Sequence, residues 1–281
     1  MWSLLVEPFL EYEFLRRALI EAIVLGLGFS IVGQVLITRR LSLIGDTLSH
    51  AMLPGVVVAF LLFGANAMAL FWGGWITGFL ILSASWFLFH RRRVEADAGL
   101  ALFAVFSVSL GVLLAARTRT TTEILHLLFG NVLAIDQWIL SMSVLVAAVT
   151  WMVFLWNYRS VLMALVDPVF FESVRPSSWW RVAFLLAIFS ANLTVGFASL
   201  GAMMTVGLLI VPPLVGRALG RSLFGMVGYS ALFSVLVSWV GVLISFHGEV
   251  PSGPAIVAVA CAGLFLLQFL RLFRRARRVT A

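Results

Sequence analysis

An aspartate and a histidine stand four residues apart near the start of an apolar run. Asp46 and His50 belong to the segment SLIGDTLSHAMLPG, residues 42–55. If this segment is helical, that spacing places both side chains on one face, one turn apart. A carboxylate oxygen and an imidazole nitrogen at this spacing supply part of a site for a divalent transition metal, which needs about four ligands. The segment therefore predicts an incomplete metal site.

Two other interpretations of the Asp46–His50 pair stay open at this point. The two groups can hydrogen-bond to each other, or they can relay protons through a membrane. The remaining histidines indicate a metal less clearly. They are His90 beside Arg91, His126 three residues after Glu123, and His247 close to Glu249.

The composition is that of a chain that crosses a membrane many times. Hydrophobic residues make up 62% of the 281 residues and charged residues only 11%, whereas soluble domains carry about 25% charged residues. Several apolar runs reach the roughly 20 residues that a helix needs to cross a bilayer. The net charge of +7 does not indicate a nucleic-acid partner, because the orientation of membrane proteins itself requires cytoplasmic positive charge.

The apolar runs predict an all-α polytopic membrane protein with about eight to nine transmembrane helices in one domain, residues 1–281. The predicted spans are 18–37, 41–63, 67–89, 97–116, 137–157, 181–199, 201–216, 223–246 and 254–271. The pair of runs at 181–216 can also be read as one broken span. Residues 117–136 are predicted to form a surface helix, and residues 160–180 the longest cytoplasmic loop.

All 19 basic residues are arginine. With the N-terminus outside, fifteen of them fall on the cytoplasmic side, as the positive-inside rule expects. The absence of lysine excludes a phosphate-binding loop of the ATPase type, so any ATP hydrolysis must occur in another subunit. The first residues do not form a cleavable signal peptide. We expect a multi-pass protein of a bacterial inner or plasma membrane.

The loop 160–180 contains a candidate contact for a partner protein. The break at Asp167 and Pro168 precedes Phe171 and Glu172, and a short helix here could dock its aromatic residues into a partner's groove. An ordinary helix at the membrane surface explains the pattern equally well.

Four motifs together resemble the zinc/manganese/iron ABC importer permeases. They are SLIGDTLSHAMLPGV (42–56), HLLFGNVLAI (126–135), GAMMTVGLLIVPP (201–213) and PSGPAIV (251–257). The resemblance extends over nearly the whole chain, from about residue 14 to 270. It implies a type II-like ABC importer permease that is not itself an enzyme.

The resemblance also implies partners and residue roles. Such permeases pair with a second permease copy, identical or related, and bind cytoplasmic ATP-binding subunits. An extracytoplasmic metal-binding protein delivers manganese, zinc or iron as cargo, and no cofactor is bound permanently. Asp46 and His50 map to the metal pathway. Asp167, Pro168, Phe171 and Glu172 map to the loop that couples to the ATPase, although the small residues usual in that loop are absent here.

Two rival functions remain. A proton-coupled secondary transporter would use Asp46 and His50 as the relay and would need no ATPase. An ABC permease for a metal chelate would tolerate the loss of His50.

Overall fold

The computed structural model describes residues 11–41, 44–90, 96–116, 136–174 and 179–279. Within these ranges the chain forms helices and no strands, so the predicted all-α fold class is confirmed. The helices are α1 (Glu13–Thr38), α2 (Ile44–Ala51), α3 (Leu53–Phe63), α4 (Ala67–His90), α5 (Ala96–Ala115), α6 (Gln137–Trp156), α7 (Tyr158–Val166), α8 (Pro168–Val174), α9 (Trp179–Leu219), α10 (Leu223–Gly248) and α11 (Ser252–Val279).

Seven segments of the described chain are long and apolar enough to cross a membrane, with α2 and α3 together forming one of them. A further apolar segment, Gly99–Ala115 in α5, is shorter. The helix bounds lie within a few residues of the predicted runs. The main differences are that α1 already begins at Glu13 and that α11 continues to Val279. The protein is therefore a multi-pass membrane protein.

Helix α9 consists of two arms that meet at Gly201. This glycine has φ 79° and ψ 170°, a backbone conformation that is open essentially to glycine alone. A side chain at Gly196 would lie 2.8 Å from Thr205, although nine residues of straight helix rise about 13 Å. The chain therefore reverses direction at Gly201. The arms, residues 179–200 and 202–219, coincide with the two runs predicted at 181–216, and each is about 30 Å long.

Helix α1 is central to the bundle, where it packs against α6, α9 and α10. Small residues on α1 permit close approach of these helices. A side chain at Gly33 would collide with the carbonyl of Leu209 and the ring of Pro213, and a side chain at Gly26 would collide with Ser234. Helix α2 lies outside this centre, against α4, α5 and α9.

One end of the bundle gathers arginines and is called the arginine end below. Arg39 donates to the carbonyl of Ala164 at 2.7 Å and Arg217 to that of Ile37 at 3.3 Å, while Arg271 donates to Ala218. Arg39 and Arg217 lie at the ends of α1 and α9, Arg271 lies in the second half of α11, and Arg181 lies at the start of α9. The clustering agrees with the predicted topology, in which this end faces the cytoplasm.

Candidate functional site

Asp46 and His50 both lie on α2 and both are exposed on the surface of the single chain. The opposite face of α2 is apolar and buried, with Ile44 and Leu48 in the main hydrophobic core. The usual arrangement of a membrane helix is therefore inverted on α2, because its ionisable residues face away from the protein. Asp46 and His50 therefore share one face of α2, as their spacing predicted.

The pair lies within a candidate membrane span, because Asp46 and His50 are the third and seventh residues of the segment Ile44–Phe63 that α2 and α3 form together. Gly45, next to Asp46, packs against the side chain of Leu209 near the midpoint of the second arm of α9. Met52, two residues after His50, accepts a hydrogen bond from Thr194 at 3.4 Å. An ionisable side chain within a span costs several kcal/mol when it faces lipid. The exposed face of α2 must therefore meet another protein surface or water.

Asp46 and His50 do not form an ion pair with each other in the described part of the chain. This finding disfavours the interpretation in which the pair satisfies itself. Nor do the described residues contain any group of three or more His, Cys, Asp or Glu side chains that could hold a metal. A single chain thus offers two side-chain ligands on α2, and a complete site needs additional ones.

Pro54 adds one more potential ligand atom to this segment. It lies in the first turn of α3, and Met52 separates α2 from α3. Since proline has no N–H, the carbonyl of His50, four residues earlier, loses its usual helical donor. A carbonyl oxygen freed in this way is a suitable ligand for a hard or borderline cation.

The sequence analysis missed a second ionisable residue within the spans. Glu21 on α1 has 0% exposure. Its Oε1 accepts a hydrogen bond of 2.5 Å from Ser143 on α6. The other oxygen, Oε2, has no hydrogen-bond partner within the described chain. The sequence signal that could have revealed this buried carboxylate is the single glutamate in the apolar run 18–37.

Further buried hydroxyl groups lie on the helices that surround α1. Within the described residues, Thr205, Ser230, Ser234 and Ser238 are buried and their hydroxyl groups lack a hydrogen-bond partner. They belong to the second arm of α9 and to α10. Glu21 and these hydroxyl groups, together called the polar seam below, are buried inside the bundle, whereas Asp46 and His50 are exposed.

The predicted loop 160–180 contains two short helices, α7 and α8, with Asp167 between them. Asp167 Oδ1 accepts a hydrogen bond from the backbone N–H of Phe170 at 2.9 Å, and α8 begins at Pro168, a residue that suits the first helical turn. Phe170 and Glu172 are exposed, whereas Phe171 is half-buried. The predicted break at Asp167 and Pro168 is confirmed. The coupling role of these four residues stays a prediction.

The two described histidines outside α2 lie on other helices. His247 lies in the last turn of α10, where its Nδ1 is 3.0 Å from the carbonyl oxygen of Leu243. His90 is the last residue of α4. The predicted surface helix with Glu123 and His126 lies outside the described residues.

The model of the ABC 3 transport family matches residues 11–271 of the chain. The protein belongs to this family. The match includes all of α1 to α10 and most of α11. The permease described here is therefore a transporter subunit and not an enzyme.

Individual relatives of this permease are similar over almost their whole length. The manganese transport system membrane protein MntC of Listeria monocytogenes is 27% identical over 95% of the chain and 94% of its own. The chelated iron transport system membrane protein YfeD of Yersinia pestis is 30% identical over 92% and 86%. A solved structure, PsaBC from Streptococcus pneumoniae in complex with Fab, aligns with a TM-score of 0.80 at 27% identity, covering 96% of this chain and 95% of that one.

Proposed function

We propose that this permease is the membrane-spanning subunit of an ABC importer for a divalent transition metal. The cargo is manganese, zinc or iron, and Asp46 and His50 bind the ion during its passage. The observation that carries the proposal is the inverted polarity of α2, whose two ionisable side chains are exposed within a candidate membrane span. Neither side chain could stay there at low cost without a partner surface.

A second permease copy completes the site. Two-fold symmetry is the commonest arrangement of oligomers, and it places a second carboxylate and a second imidazole opposite the first pair. Two oxygen and two nitrogen ligands suit borderline divalent cations. The partner is either an identical chain or a related permease. The incomplete ligand set of one chain supports this arrangement.

The names of two relatives support a metal as cargo. MntC is named as a manganese transport protein and YfeD as a chelated iron transport protein. The second name also favours one alternative, a permease for a metal chelate. The two functions differ at the α2 site, because a bare ion needs the imidazole of His50 as a ligand whereas a chelate arrives with its ligands already filled.

A separate cytoplasmic ATP-binding subunit drives the transport, because the chain has no lysine for a phosphate-binding loop. Helix α8 is its docking element. Asp167 and Pro168 begin the helix, Phe171 holds it against the bundle, and Phe170 and Glu172 face outward toward the ATPase. An extracytoplasmic metal-binding protein delivers the ion at the opposite end. The assembly resides in the inner or plasma membrane of a bacterium.

Uptake of manganese, zinc and iron(II) into proteoliposomes that contain the permease and its ATPase tests the proposal. Asp46→Asn and His50→Gln should each abolish ATP-dependent uptake. Asp136→Asn and His247→Gln are matched controls at exposed positions away from α2, and they should transport normally. Normal transport by both α2 variants would overturn the site. Uptake that follows a proton gradient without ATP would instead establish the secondary transporter.

A further inference from the structure

A cavity opens between α1, α6, α7, α8 and the first arm of α9 at the arginine end. Its volume is about 350 Å³, within the range of small-molecule sites. The cavity does not touch α2, so its role is separate from that of Asp46 and His50. Any conclusion about its occupant is therefore independent of the proposed metal transport.

The lining of the cavity changes from polar to apolar with depth. Arg39, Asn157 and Arg181 line its outer part, and each stands at the end of a helix on the arginine side. Ile31 and Ile188 line its inner part, seven or eight residues further along their helices. That separation corresponds to about 11 Å of helix. The cavity thus matches a ligand with a polar head at the membrane surface and an apolar tail along the spans.

The charge at the outer part of the cavity is positive. Arg39 and Arg181 both line it, and none of its described lining residues is acidic. Arg39 uses one N–H to bind the carbonyl of Ala164, which fixes the side chain and leaves further donors of the guanidinium group for a ligand. Guanidinium groups bind phosphate oxygens through paired hydrogen bonds. The polar head is therefore expected to be a phosphate.

The cavity is also reachable from the bilayer. Phe184 and Leu185, on the first arm of α9, line it and are about half exposed. These side chains face the region that lipid tails occupy, so a tail can enter sideways between α9 and α6 without passing through water. A free phosphate compound would leave the deep apolar part of the cavity unfilled.

We propose that this cavity binds an anionic phospholipid, with one acyl chain in the apolar part and the phosphate at Arg39 and Arg181. The bound lipid contacts Phe171, which lines the cavity from α8. The lipid therefore stabilises the position of α8, whose Phe170 and Glu172 face away from the bundle. The bound lipid thus helps to form the surface around α8 at the arginine end.

Native mass spectrometry of the full chain in detergent tests the proposal with two lipids, phosphatidylglycerol and phosphatidylcholine. The wild type should bind the first phosphatidylglycerol about tenfold more tightly than phosphatidylcholine. Both lipids carry a phosphate, but the choline ammonium of phosphatidylcholine offsets its negative charge beside the two arginines. Arg39→Gln combined with Arg181→Gln should remove this preference. Arg159→Gln is the matched control, because Arg159 is exposed on the neighbouring helix α7 and does not line the cavity; its preference should persist.

A second pair of variants tests the apolar part of the cavity and does not depend on the arginines. Val153→Trp fills the cavity and should weaken the binding of the first lipid at least about tenfold. Leu155→Trp, on the exposed face of the same helix, should leave it unchanged. An unaltered phosphatidylglycerol preference in the arginine double variant, or unaltered binding in Val153→Trp, refutes the proposal. Full competition by glycerol phosphate also refutes it, because the acyl chain would then be unnecessary.

Discussion

The two ionisable regions within the spans, the exposed face of α2 and the polar seam around Glu21, differ in what surrounds them. Asp46 and His50 are exposed on the single chain within a candidate span, whereas Glu21 is fully buried and accepts a hydrogen bond from Ser143. In both regions, exposing the ionisable groups to lipid would cost several kcal/mol. The chain itself encloses Glu21, but it leaves the α2 pair to be covered from outside.

This difference separates a structural role from a transport role. A transported ion must reach its ligands and leave them again, so the ligands have to border an accessible surface. Glu21 on α1 is fully buried, and its hydrogen bond with Ser143 connects α1 to α6. We therefore expect substitutions on α2 to change transport and substitutions at Glu21 to change stability.

The largest expected effect is on transport. Asp46→Ala and His50→Ala each remove a metal ligand, and either change should lower ATP-dependent uptake at least about 100-fold. Their thermal unfolding in detergent should stay close to that of the wild type, because both side chains are exposed. A large drop in the unfolding temperature with normal uptake would reverse the comparison and assign the pair a structural role.

The second prediction concerns Glu21→Ala. This change removes a buried side chain and leaves the hydroxyl of Ser143 without its carboxylate partner, so the free energy of unfolding should fall by about 2–4 kcal/mol. Denaturant unfolding in detergent measures the change. Glu13→Ala is the control at the exposed start of the same helix, where the ion pair with Arg17 contributes at most about 1 kcal/mol. Equal effects at the two positions would contradict the enclosed position of Glu21.

A more conservative change, Glu21→Gln, should cost less. The amide keeps the shape of the side chain and an oxygen that can accept from Ser143, so we expect a loss of about 1 kcal/mol in unfolding free energy. Metal uptake should remain near the wild-type rate at equal protein content. Loss of uptake in a fully folded Glu21→Gln variant would show that the polar seam takes part in transport.

The smallest effect is expected at Ser234. Its buried hydroxyl lacks a hydrogen-bond partner in the described chain and packs against Gly26 of α1. Ser234→Ala removes an unsatisfied polar group, so it should leave stability unchanged or raise it by up to about 1 kcal/mol. Ser143→Ala is the informative contrast, because it breaks the bond to Glu21 and should destabilise the protein in the same unfolding assay.

Much of the fold follows from the sequence because apolar length and charge determine where a chain crosses a bilayer. The described helices begin and end within a few residues of most of the predicted runs. Among the described arginines, Arg39, Arg181, Arg217 and Arg271 lie at one end of the bundle. The spacing of Asp46 and His50 also predicts their common face. Both inferences depend only on residues that are close together along the chain.

The rest depends on contacts between distant segments. The hydrogen-bond partner of Glu21 is Ser143, which lies 122 residues away along the chain, and no local sequence pattern marks this carboxylate. The outward direction of the α2 face depends on packing against α4, α5 and α9. The half-buried position of Phe171 follows from the cavity beside α8, which no local sequence pattern reveals.

The two antiparallel arms of α9 are joined by a single non-helical residue, Gly201. The first arm begins beside the proposed lipid cavity and α8. The second arm contains Leu209, which contacts α2, and ends at the arginine end. Because no loop separates the arms, a change in the angle between them has to come from the backbone dihedral angles at Gly201. A single helix, α9, therefore contacts both the cavity beside α8 and the helix that carries Asp46 and His50.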